Sequence, residues 1–158
     1  MRPSIRRTIL AGLLGGLAIN LSMLVTYRII GFGLNEKGIL MDPNIQSPKL
    51  IRLWTEPPRP RVLAMPPVVI GLGLVIFGII HAFFYRTVSP VWPRGVARRA
   101  ARMAFWVFLL IFLFWEFFTP FNQLHEPLPL IALELFFWAI IATCDAFAIA
   151  LVMEKKAK

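Results

Sequence analysis

The sequence predicts an all-α integral membrane protein, an up-down bundle of four transmembrane helices, and three observations lead to this fold class. Hydrophobic residues make up 58% of the 158 residues and charged residues only 16%, whereas a soluble domain carries about 25% charged residues. The hydrophobic residues lie in four runs, each close to the roughly 20 residues that a helix needs to cross a bilayer. The runs lack the alternation of polar and apolar residues that marks the strands of a membrane barrel.

These runs predict a single transmembrane domain over residues 1–158, with spans at about 8–31, 62–85, 103–119 and 128–153. The first run follows a basic segment, as a secretory signal does. It is longer than a signal, however, and no small-residue cleavage motif follows it, so we expect an uncleaved first helix.

The distribution of lysine and arginine predicts that both chain ends face the cytoplasm. With this orientation, eleven of the 17 basic residues lie on the cytoplasmic side and six on the other side, as the positive-inside rule requires. The net charge of +9 then reflects topology, and we expect no nucleic-acid partner. The location expected for such a chain is a bacterial-type plasma (inner) membrane.

The long first loop and the short second loop both predict contacts with the membrane surface. In residues 32–61, the pair Ser47-Pro48 is typical of a helix start, and the apolar face that follows predicts a short amphipathic helix on the bilayer. A docking loop for a partner protein is the alternative. The second loop and the start of the third span carry four arginines expected to bind anionic lipid headgroups: Arg94, Arg98, Arg99 and Arg102.

Small residues on the first two spans predict close helix packing. Gly12, Gly16 and Asn20 recur every four residues, and Gly71 and Gly78 lie two turns apart. Small residues at such spacings let two helices approach closely, and asparagine can donate a hydrogen bond across the contact. This seam can join helices of one bundle or two protomers.

Ionisable residues within the spans form two layers, and the outer layer holds Arg28, Glu116 and Glu134. A charge at the centre of a bilayer costs about 2.5–3.5 kcal/mol on insertion scales, so each such residue needs a partner or a function. We expect Arg28 to form a salt bridge with Glu134, or otherwise with Glu116. A proton or substrate site is the alternative interpretation.

The inner layer holds His81 and Asp145. Such a pair can be structural, can bind a proton, or can orient His81 as an axial ligand for haem or a chlorophyll-type pigment. Asp145 also lies eleven residues after Glu134, almost three helical turns, so both carboxylates share one helix face.

Motifs for catalysis, nucleotide binding and metal binding are missing from the sequence, so it predicts no catalytic residues, no resident cofactor and no metal site. The single cysteine, Cys144, excludes an intrachain disulfide and cysteine-based zinc sites. The third span is densely aromatic: nine of the seventeen residues from Phe105 to Phe121 are Phe or Trp. This surface suits lipid contact or the stacking of a quinone, pigment or sterol.

Three functions are compatible with this pattern. The first is a non-enzymatic protein that acts by association, as an accessory subunit or a homo-oligomer, and the glycine seam favours it. The second is a small proton-coupled transporter that uses Glu134, Asp145 and Glu116. The third is a binder of a hydrophobic cofactor, pigment or lipid, with His81 as its ligand.

Overall fold

The structure, a computed structural model, describes residues 3–60 and 68–155, and these residues form helices without any strand. Four helices are long and apolar enough to cross a membrane: α1 (Ile5–Gly31), α3 (Val68–Val91), α4 (Val96–Leu124) and α5 (Leu128–Met153). The prediction of an all-α fold with four helices suited to cross a membrane is confirmed. The first six residues of the predicted second span lie outside the described residues. Helix α4 extends beyond the predicted third span at both ends.

The first and last membrane helices occupy the centre of the bundle. Helix α1 packs on α3 along one side and on α5 along another, and α4 packs mainly on α5. Helices α3 and α4 are joined by a short loop, yet within the described residues they form none of the main helix contacts. The bundle is therefore a row in the order α3, α1, α5, α4. The end that holds the long loop is called the loop end below, and the other is called the terminal end.

The contact between α1 and α3 depends on the glycines. A Cβ atom added at Gly78 would lie 2.6 Å from the Gly12 carbonyl oxygen and 2.6 Å from the Gly16 Cα. One at Gly16 would lie 2.5 Å from a backbone atom of α3. Asn20 donates a hydrogen bond of 3.3 Å to the Gly71 carbonyl oxygen. The small residues therefore form a packing seam inside one bundle.

Polar contacts at the terminal end fasten the helices where they leave the apolar core. Glu154 accepts hydrogen bonds from the Tyr85 hydroxyl at 2.9 Å and from the Arg99 guanidinium at 2.6 Å. Arg99, expected to bind a lipid headgroup, is thus engaged within the protein. The other three arginines of that stripe are exposed: Arg94, Arg98 and Arg102.

The long loop folds back over the loop end of the bundle. It contains a short helix, α2 (Pro48–Thr55), whose first turn is capped by the Ser47 side chain, which accepts a hydrogen bond of 3.1 Å from the Leu50 N–H. The same Ser47 hydroxyl donates to the Leu124 carbonyl oxygen at 2.8 Å. The helix start predicted at Ser47-Pro48 is therefore confirmed, and the loop is fixed to the end of α4. The position of α2 on a membrane surface stays a prediction.

Candidate cation-binding site

Three glutamates converge beneath the long loop. Glu116 lies on α4, Glu126 in the connection between α4 and α5, and Glu134 on α5. One carboxylate oxygen from each lies within 4.8 Å of the other two. All three residues are at most 8% exposed, so a cluster of potential negative charge is enclosed by protein.

The end of α4 turns Glu126 into this cluster. His125 adopts the left-handed conformation, with φ 57° and ψ 38°, and the Glu126 N–H donates to the Pro120 carbonyl oxygen at 3.0 Å. Many helices end at a left-handed residue of this kind, and the hydrogen bond that follows it here reaches one residue further back than the Schellman bond does. The long loop then adds a hydrogen bond of 2.6 Å from the Gln46 amide to the Glu126 carboxylate. Burial raises the pKa of Glu126 above its ordinary value, and the bond from Gln46 opposes this shift.

Among the described residues, only neutral side chains donate hydrogen bonds to the three carboxylates. The Trp138 indole N–H donates to Glu116, and the Gln46 amide donates to Glu126. The second oxygens of Glu116 and Glu126 are buried and have no hydrogen-bond partner among the described residues. Because a buried polar group without a partner costs about 1–3 kcal/mol, these oxygens are available for a further ligand.

Tyr27 adds a hydroxyl to the same region. Its ring centroid lies 5.4 Å from that of Phe137 and 5.1 Å from that of Trp138, which are one turn along α5 from Glu134. Tyr27 thus packs against Trp138, whose indole N–H donates to Glu116. The Tyr27 hydroxyl too is buried without a hydrogen-bond partner among the described residues.

The backbone around this site contains wide helical turns. The last eight residues of α1 form a π-helix that carries Tyr27, and two π-helical segments of α4 lie on either side of Glu116. Pro120 lies in the second of them, where a wider turn tolerates the missing N–H. Single π-helical turns occur often at functional sites.

Arg28 does not neutralise the cluster. Its guanidinium donates to the carbonyl oxygens of Gly33 at 3.4 Å and Leu34 at 3.5 Å. Among the residues that the structure describes, no ion pair joins Arg28 to Glu116 or Glu134. The predicted salt bridge is therefore wrong. Successive side chains of a helix point in different directions, so while Tyr27 faces the glutamates, Arg28 reaches the turn that follows α1.

The inner-layer pair meets in the core. His81 Nδ1 and an Asp145 carboxylate oxygen are 2.5 Å apart, and both side chains are buried. The other carboxylate oxygen faces Gly15, where an added Cβ atom would lie 2.5 Å away. His81 Nε2 is buried without a partner among the described residues. A haem or chlorophyll-type macrocycle therefore has no access to this nitrogen in the conformation that the structure describes.

An apolar wall separates the two layers. The Trp138 indole stacks on Phe112, with ring centroids 4.3 Å apart and planes 9° apart. Ile141, between Glu134 and Asp145 along α5, is fully buried. The two carboxylates do share the buried face of α5, as predicted, but they belong to separate polar sites.

Glu126 and Gln46 were not predicted from the sequence to be site residues. Both lie in loops, where residue spacing does not determine which way a side chain points. The available signal was the scarcity of acidic residues, only eight in the chain, with Glu126 close to the membrane between two spans.

Most aromatic residues of α4 are exposed on the outside of the bundle. Exposed members include Phe105, Trp106, Phe114 and Trp115. Comparison of the chain with protein-family models, curated proteins and solved structures finds no match.

Proposed function

We propose that this protein is a small, non-enzymatic membrane carrier that binds a cation at Glu116, Glu126 and Glu134. The observation that supports this proposal is the convergence of three buried carboxylates whose hydrogen-bond donors, within residues 3–60 and 68–155, are all neutral. Neighbouring carboxylates in a buried site cannot all be ionised unless a cation balances them. Since carboxylates must lose their protons before they bind a metal ion, exchange of a cation for protons is the coupling that such a site allows.

The proposed orientation places the site near the outer face of a bacterial-type plasma membrane. With both termini in the cytoplasm, the loop end of the bundle faces the periplasm, α2 lies on the outer surface, and Arg94, Arg98 and Arg102 contact anionic headgroups. Reporters fused at the two chain ends should then read cytoplasmic and one near Asn44 periplasmic. A cytoplasmic reading near Asn44 would invert this orientation.

Association with another membrane protein or a second copy, the first function suggested by the sequence, has lost its main support. The glycines that favoured it are used in the contact between α1 and α3. The proposed function therefore rests on the arrangement of side chains around the three glutamates.

Flux through reconstituted protein tests the proposal. Proteoliposomes that contain a pH-sensitive dye are given an inward gradient of Mn²⁺, Ca²⁺, Na⁺ or K⁺ in turn. We expect at least one gradient to raise the internal pH with the wild-type protein, because protons leave as the cation enters. The double variant Glu116→Gln/Glu134→Gln should lose this response, and Glu36→Gln, which alters an exposed acidic residue, should keep it. A wild-type response equal to that of protein-free liposomes for every cation would refute the carrier function.

A further inference from the structure

We infer that the cation is a hard divalent metal ion of the Mg²⁺, Ca²⁺ and Mn²⁺ class, bound by one oxygen from each of Glu116, Glu126 and Glu134. This inference rests on the proposed function for its choice of site and adds the class of substrate.

The chemistry of the ligand set selects this class. The three converging ligands are carboxylate oxygens, and the nearby hydroxyl of Tyr27 is also an oxygen donor. Sets made of oxygen atoms suit Mg²⁺, Ca²⁺ and Mn²⁺, whereas sulfur and imidazole ligands favour Zn²⁺ and copper. The half-buried thiol of Cys144 and the buried imidazole of His81 belong to the other polar layer.

The spacing of the oxygens agrees with an ion of this size. Two ligands on opposite sides of an ion are separated by twice the metal–oxygen distance, which is about 4.6–5.2 Å for Ca²⁺ and about 4.0–4.2 Å for Mg²⁺. The three oxygens lie within 4.8 Å of one another. This limit does not exceed the separation of opposite ligands around Ca²⁺, so the three oxygens are close enough together to contact one ion.

Unused polar atoms give independent support for a ligand. The Tyr27 hydroxyl is buried without a partner among the described residues, as are the second oxygens of Glu116 and Glu126. Glu116 is 0% exposed and Glu126 is 1% exposed, so bulk water cannot satisfy these oxygens. A bound metal ion would accept electron pairs from these oxygen atoms and so give each of them a partner.

Charge favours a divalent ion over a monovalent one. Three ionised carboxylates carry three negative charges, and the only nearby arginine on α1, Arg28, is engaged elsewhere. A divalent ion leaves one excess negative charge, and a monovalent ion leaves two. Since excess charge in a buried site is costly, the divalent ion is the better match.

Binding of Mn²⁺ to the purified full-length protein in detergent tests the inference. Electron paramagnetic resonance measures the loss of free Mn²⁺ signal during titration, and we expect one saturable site per chain. Each of Glu116→Gln, Glu126→Gln and Glu134→Gln should weaken Mn²⁺ binding at least tenfold, because loss even of an outer-shell partner costs 10–100-fold. The control Glu36→Gln should bind as the wild type does. Ca²⁺ should displace Mn²⁺ from the wild-type protein.

A stability measurement keeps the test decisive if a variant folds poorly. Mn²⁺ should raise the melting temperature of the wild type, because a ligand that binds only the folded state stabilises it. Absence of saturable Mn²⁺ binding, or equal binding by the triple glutamine variant, would overturn the inference. If Na⁺ or K⁺ drives the pH change in proteoliposomes while Mn²⁺ does not bind, the inference fails and the carrier function stands. If Mn²⁺ binds at the glutamates and no cation drives a pH change, the carrier function fails and the metal site stands.

Discussion

Replacing Gly78 by alanine should separate α1 from α3, because the new methyl group would meet backbone rather than a movable side chain. The added Cβ atom would lie 2.6 Å from the Gly12 carbonyl oxygen and 2.6 Å from the Gly16 Cα, whereas ordinary contacts of this kind begin at 3.4 Å. The Gly16 backbone nitrogen would be closer still, so the helices must move apart by more than the ~0.8 Å that the two 2.6 Å contacts require. Overpacking of this kind costs about 1–3 kcal/mol.

The assay is thermal unfolding in detergent, with Gly73→Ala as the matched control on the same helix. For a chain of this length each kcal/mol shifts the melting temperature by about 2–4 °C, so Gly78→Ala should lower it by about 2–12 °C. An added Cβ at Gly73 meets nothing within 4 Å, and alanine is the better helix former, so the control should melt at or above the wild-type temperature. Equal melting temperatures for the two variants would refute the packing seam.

Three further predictions concern buried and exposed charges. Asp145→Ala should destabilise the protein by about 1–3 kcal/mol in thermal unfolding, because His81 loses its buried partner; a neutral effect would show that the pair is unimportant. Glu154→Ala should lower the free energy of unfolding by a similar amount, whereas Glu36→Ala, which breaks an exposed ion pair, should lower it by less than about 1 kcal/mol. A larger loss for Glu36→Ala than for Glu154→Ala would contradict this difference in burial. Arg28→Gln should cost less than about 1 kcal/mol and should add to Glu134→Gln within about 0.5 kcal/mol; strong coupling in this double-mutant cycle would restore the salt bridge.

The helical architecture could be predicted from the sequence because the bilayer restricts a long apolar segment to few structures. The ends of the helices were less certain. Helix α4 begins at Val96, within the basic stripe, because arginine can extend its charge beyond the apolar region while its backbone remains helical. The third span was predicted to end at about residue 119, yet a wide turn that contains Pro120 lets the helix continue to Leu124.

The candidate site could be predicted only in part, because the sequence gives the depth of a residue in the membrane more reliably than its direction. The rise per residue placed Glu116 and Glu134 at similar depths, and the structure brings them together. The same reasoning paired them with Arg28, which points elsewhere. The inward position of Glu126 depends on the left-handed turn at His125. Histidine is seldom found at such a position, so the direction of the Glu126 side chain could not be predicted from residue spacing.

Cysteine cross-linking in native membranes shows whether the carboxylates of α4 and α5 face each other beneath the long loop. In a Cys144→Ser background, the pair Glu116→Cys and Glu134→Cys should be joined by a short bis-methanethiosulfonate reagent, which would be detected by mass spectrometry of the linked peptides. The control pair Phe118→Cys and Glu134→Cys should remain unlinked, because Phe118 is 50% exposed and points away from α5. Cross-linking of the control pair alone, or of neither pair, would contradict the convergence of the glutamates.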